Sequence, residues 1–92
     1  MNYAELKSAV KLFGLGERAT LKEIKSRHRN LVKRHHPDAD GTADEETIRK
    51  INAAYRLLSE YVAAYSFSFT ETEFYEQNPE ERLWRQFMDD QM

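Results

Sequence analysis

Three histidines and two aspartates fall within thirteen residues, at His28, His35, His36, Asp38 and Asp40. Imidazole and carboxylate are metal ligands and proton carriers, so metal binding is the first chemistry to weigh. His28 and His35 are seven residues apart and fit the inward stripe of a helix, where they pack and hydrogen-bond. Asp38-Ala39-Asp40-Gly41 opens like a calcium loop, but its sixth position is Ala43 and its twelfth is Arg49, where Gly and Glu are needed. Neither a metal nor any other cofactor is expected. What remains is the tripeptide His36-Pro37-Asp38 at the end of a basic segment carrying Lys22, Lys25, Arg29 and Lys33. Pro37 fixes its own backbone and disfavours helix at His36, which turns the tripeptide away from the helix end. Asp38 offers a carboxylate to a partner's Arg, and His36 either orients the loop or donates directly. This is the chemistry of contact. No nucleophile, base and orienting group can be assembled, so an enzyme is not expected.

The elements that must position these residues are helices. Leu6, Ala9, Val10 and Phe13 predict a helix over about 3–13, with Asn2 and Glu5 as a capping box, stopped by Gly14 and Gly16. Thr20 and Glu23 form a second capping box, opening a helix over about 20–35 whose inward stripe is Leu21, Ile24, His28, Leu31 and His35, with Val32 beside it. A third helix over about 43–65 has its stripe at Ile48, Ile51, Tyr55, Leu58, Val62 and Tyr65, after Asp44, Glu45 and Glu46 at its start. The matched spacings predict an antiparallel helical hairpin with the first helix laid across it. The fold class is all-α.

At one residue per 100 degrees, Lys22, Lys25, Arg29 and Lys33 share one flank of the second helix, and Arg27 and Arg34 lie on the other. Beyond residue 65 the character changes. Phe67 and Phe69 alternate with Ser and Thr, predicting an extended or loop stretch, and Asn78-Pro79-Glu80-Glu81 then starts a short helix over about 79–90. Residues 66–92 are read as an acidic aromatic extension whose rings pack on the same domain as residues 1–65.

The net charge of −2 hides a segregation: residues 1–35 carry nine Lys/Arg and three Glu, a net +6, and residues 36–92 a net −8. The acidic tail is therefore also a candidate to fold over the basic helix. With 40% apolar residues, 33% charged and no cysteine, the chain fits one cytoplasmic domain without disulfides. It starts Met1-Asn2-Tyr3 without a basic-then-apolar leader, and no apolar run reaches the roughly 18 residues of a membrane span.

Several separated runs agree with one known pattern: Phe13-Gly14-Leu15; Glu23-Ile24-Lys25, Arg29, Leu31, Lys33 and His36-Pro37-Asp38; and Ile51-Asn52-Ala53-Ala54-Tyr55-Arg56-Leu57-Leu58. Together they resemble the J-domain of the DnaJ co-chaperone family. The resemblance implies a module that binds the ATP-bound form of a DnaK-type seventy-kilodalton heat-shock chaperone and stimulates its ATP hydrolysis. His36, Pro37 and Asp38 would make that contact together with Lys22, Lys25, Arg29 and Lys33, and the module itself would catalyse nothing. His28 and His35 stand where the family commonly has Tyr, Ala39-Asp40 replaces a basic residue and Asn, and the usual fourth-helix sequence is not evident. A monomer is expected, with the tail available to a client or another protein. The alternative reading is a small nucleic-acid-binding helical protein using the basic helix. Net acidity and the lack of aromatics interleaved with the basic residues count against it.

Overall fold

In a computed structural model, residues 1–36 and 45–90 are described. Pro37, Asp38 and the other residues of 37–44, on which the expected helix start at about 43 falls, lie outside them. Among the described residues five helices follow in order: α1 (Tyr3–Phe13), α2 (Leu21–Arg34), α3 (Glu45–Ala63), α4 (Glu71–Gln77) and α5 (Pro79–Asp90). The all-α fold predicted from the spacings is the one observed.

Both expected capping boxes form, and each settles where its helix begins. The Asn2 side chain accepts from the Glu5 amide at 2.8 Å, and the Glu5 carboxylate accepts from the Asn2 amide. Thr20 and Glu23 repeat the arrangement at α2, at 3.1 and 3.3 Å. Each pair satisfies two backbone donors that a helix start otherwise leaves to water. Helix α1 ends in a Schellman motif. Gly14 takes φ +65°, its amide donates to Lys11 at 3.1 Å, and the Leu15 amide donates to Val10 at 3.1 Å.

The core joins α1, α2 and α3. Ala9, Phe13, Ile24, Ile51, Ala54 and Leu58 are buried, and Leu6, Val10, Leu15, Leu31, Val32, Tyr55, Leu57 and Val62 pack around them. Helix α3 meets both α1 and α2, so the hairpin of α2 and α3 is covered by α1. Two stripe residues are exposed. Leu21 sits in the first turn of α2, and Tyr65 follows α3, which closes through the Ala64 and Tyr65 amides at Glu60 and Val62; both side chains are exposed. A stripe buries its side chains only as far as a neighbouring helix extends beside it.

The region after residue 65 corrects the sequence reading in three respects. A helix, α4, forms where an extended segment is expected, because Thr70 caps it by accepting from the Glu73 amide at 3.2 Å. The alternation of Phe67 and Phe69 masked this Thr-x-x-Glu start. Asn78, expected to cap α5 with its side chain, instead donates from Nδ2 to the Phe74 carbonyl at the end of α4, and its own carbonyl accepts from the Glu81 and Arg82 amides. Finally, the tail aromatics do not pack on the core: Phe67, Phe69, Phe74, Trp84 and Phe87 are all at least half exposed. Helix α4 pairs with α5, and among the described residues neither meets α1, α2 or α3. The acidic tail accordingly does not lie over the basic helix.

Candidate chaperone-binding face

Helix α2 builds the candidate face in two parts, a flank of cations and a terminus that delivers His36. Lys22, Lys25, Arg29 and Lys33 are all exposed along one side. The acid that could have neutralised them, Glu23, spends its carboxylate on the Thr20 amide and hydroxyl at the helix start. Among the described residues no ion pair involves any of the four cations; the pairs found are Lys50 with Glu46 and Arg85 with Glu71 and Asp89. A row of exposed like charges on one flank projects a positive field that attracts an acidic surface.

The helix stops at His35, whose amide donates to Leu31 at 3.1 Å while the residue leaves helical geometry (φ −107°, ψ 12°). His36 follows, exposed, its amide directed at the Lys33 carbonyl at 3.5 Å. The last ribbon cation and the first residue of the tripeptide thus share a turn.

Behind the ribbon, His28 locks α2 onto α3. Its ring stacks on Tyr55 with centroids 3.9 Å apart and planes 8° from parallel, and its Nε2 lies 2.9 Å from Oδ1 of Asn52. The ring of Phe13 also lies nearly parallel to it, with centroids 6.3 Å apart. His28 therefore touches all three core helices and holds the flank from which Arg29 projects. His35 is half-buried at the end of the same stripe. Packing and hydrogen bonding account for His28, as its place in the stripe implies. The pairing of His28 with Asn52 escaped the sequence reading, although Asn52 sits three residues before Tyr55 and so on the same face of α3.

Comparison with known proteins bears directly on this three-helix unit. A family model described as the DnaJ domain matches residues 10–64. The chain belongs to the DnaJ domain family. In J-domain terms, the match takes in the end of α1 and all of α2 and α3, and stops before the α4–α5 extension. The chain is 43% identical over 49 residues to a chaperone protein DnaJ of Ureaplasma parvum, covering 53% of this chain and 13% of that protein. It is 41% identical over 64 residues to a co-chaperone protein DjlA of Aliivibrio fischeri, covering 60% of this chain and 23% of that protein. An uncharacterized 19.0 kDa protein of Sinorhizobium is 44% identical over 54 residues, 56% of this chain and 32% of that one. The J-domain chain thus spans less than a third of the length of each of these relatives. No solved structure gives a significant match. Among the described residues no helix is long and apolar enough to cross a membrane.

Proposed function

We propose that this J-domain acts as a co-chaperone that binds the ATP-bound form of a DnaK-type chaperone and stimulates its ATP hydrolysis, itself catalysing nothing. The observation that carries the reading is the cation row Lys22, Lys25, Arg29 and Lys33 on the exposed flank of α2, without an ion pair among the described residues and running directly into His36. Exposed cations of this kind steer and orient an acidic partner more than they bind it deeply, so the complex forms fast and weakens with salt. The affinity that matters is then set at the tripeptide. Proline restricts its own backbone and disfavours helix in the residue before it, which suits a tripeptide that ends the helix, and a carboxylate such as that of Asp38 is of the type that accepts charge-assisted hydrogen bonds from an Arg of the chaperone. Binding energy realised only in the hydrolysing conformation of the partner accelerates hydrolysis, which is how a module without a catalytic group raises another protein's rate.

Single-turnover ATP hydrolysis by a DnaK-type chaperone, with the wild-type chain or His36→Gln added, tests this. Stimulation by wild type and its loss in the variant are expected. No stimulation by wild type, or equal stimulation by both, overturns the reading, and duplex binding that falls steeply with salt would then favour the nucleic-acid alternative.

A further inference from the structure

Helix α5 is amphipathic, and the face it turns toward its neighbour is the polar one. Arg85 pairs with Glu71 of α4, hydrogen-bonds the Tyr75 hydroxyl at 3.4 Å and lies 5.5 Å from the centre of that ring. Arg82 and Asp89 line the same cleft between the two helices. Leu83, Trp84, Phe87 and Met88 occupy the other side of α5 and remain 67, 59, 51 and 45% exposed. An amphipathic helix ordinarily buries its apolar stripe, because that burial is what stabilises its docking. Here the stripe is left outside. Aromatic side chains each offer about 150–250 Å² when buried, so this stripe amounts to a patch of several hundred Å², the size that marks an interaction site.

The rim of the patch identifies its occupant. Glu80 lies four and seven residues before Trp84 and Phe87, Glu81 three and seven before Trp84 and Met88, and Asp90 three and seven after Phe87 and Leu83. At helical spacing Glu81 and Asp90 flank the stripe on its two sides and Glu80 closes its N-terminal end. They are exposed, and none of them is in an ion pair among the described residues. Both arginines of α5 are drawn to the cleft with α4, so the border is acidic without compensation. We propose that this face binds a polypeptide segment whose apolar side chains are flanked by Lys or Arg. A second copy of the chain would set one acidic border against another, and an anionic lipid surface would meet the same repulsion. The chain's own basic ribbon supplies cations, but Leu21 is the one exposed apolar residue of α2, so docking there would leave most of the stripe in water.

Trp84 is the single tryptophan, and its emission reports on the patch directly. The probes are two synthetic peptides with the same Leu/Phe centre, one flanked by Lys and one by Glu, titrated into the full chain. The Lys-flanked peptide is expected to shift Trp84 emission to the blue and to bind at least about tenfold more tightly than the Glu-flanked one, weakening as salt rises from about 50 to about 200 mM. Combined Glu80→Lys, Glu81→Lys and Asp90→Lys substitution should reverse that preference with the far-ultraviolet circular dichroism retained. As a second variant that leaves the charges alone, Leu83→Ser should weaken the Lys-flanked peptide severalfold. Equal binding of both peptides, no shift with either, a concentration-dependent blue shift without peptide, or a shift on anionic vesicles would overturn the proposal. No chaperone enters this experiment, so it succeeds or fails independently of the ATPase measurement.

Discussion

The imidazole of His28 in α2 lies flat on the ring of Tyr55 in α3, with 3.9 Å between centroids, while its Nε2 meets Asn52 at 2.9 Å. One side chain thus makes two directional contacts across the hairpin that presents the cation row. A stacked ring pair contributes about 0.5–1.5 kcal/mol beyond burial, and a hydrogen bond a similar net amount. His28→Ala should therefore lower unfolding stability by about 1–3 kcal/mol in urea denaturation. Asn52→Ala should cost about 1 kcal/mol, and a double-mutant cycle between the two should show coupling, because they share one bond. Additive effects would mean that the hydrogen bond contributes nothing in solution.

Ile51 is the most completely buried side chain of α3, with 0% exposure, and it shares a core cluster with Phe13 of α1, buried to 2%. Ile51→Ala removes methyl groups that α1, α2 and α3 jointly surround, and the helices cannot all close inward at once. A loss of about 2–5 kcal/mol is expected, read as a lower denaturation midpoint with an unchanged slope.

Gly14 holds the left-handed turn that brings Leu15 back onto the core. A Cβ at this position would have Arg27 Nη1 as its nearest neighbour at 3.8 Å, an ordinary contact, so backbone strain alone sets the cost. Gly14→Ala should destabilise the domain by about 1–2 kcal/mol in thermal or urea unfolding. A neutral result would show that the turn is not held in that conformation.

The cation row predicts a separation of function from stability. Arg29→Glu reverses a charge on an exposed flank with no ion pair to lose among the described residues, so unfolding stability should change by no more than about 0.5 kcal/mol. Stimulation of a DnaK-type chaperone should fall severalfold at low salt, and the gap from wild type should narrow as salt is raised. A gap independent of salt would argue for a contact role other than steering. The same measurement on Lys25→Glu places the effect along the ribbon.

The first three helices were legible in the chain because their signals are local: the capping boxes at Asn2/Glu5 and Thr20/Glu23, the glycine stop at Gly14, and stripes recurring at helical spacing. The cation row follows from the same periodicity, since neighbours on a helix surface are fixed by sequence distance. Helix α4 was missed although its Thr70 and Glu73 start is just as local, because the preceding Phe67 and Phe69 alternate like an extended strand. The exposure of Leu21 and Tyr65 was not readable, since a stripe states which face is apolar and not how far the partner helix reaches.

From its residues alone, this chain determines an all-α fold, a basic flank ending at His36, and the motif order that places it with the J-domains, all of which depend on neighbours a few positions apart. Tertiary structure decided what depends on distant ones: that His28 bonds Asn52, 24 residues away, that Arg85 turns the polar face of α5 toward α4, and that Trp84 and Phe87 stay exposed. Periodicity defines the faces of a helix, but only the packing of all the helices against one another chooses which faces are covered.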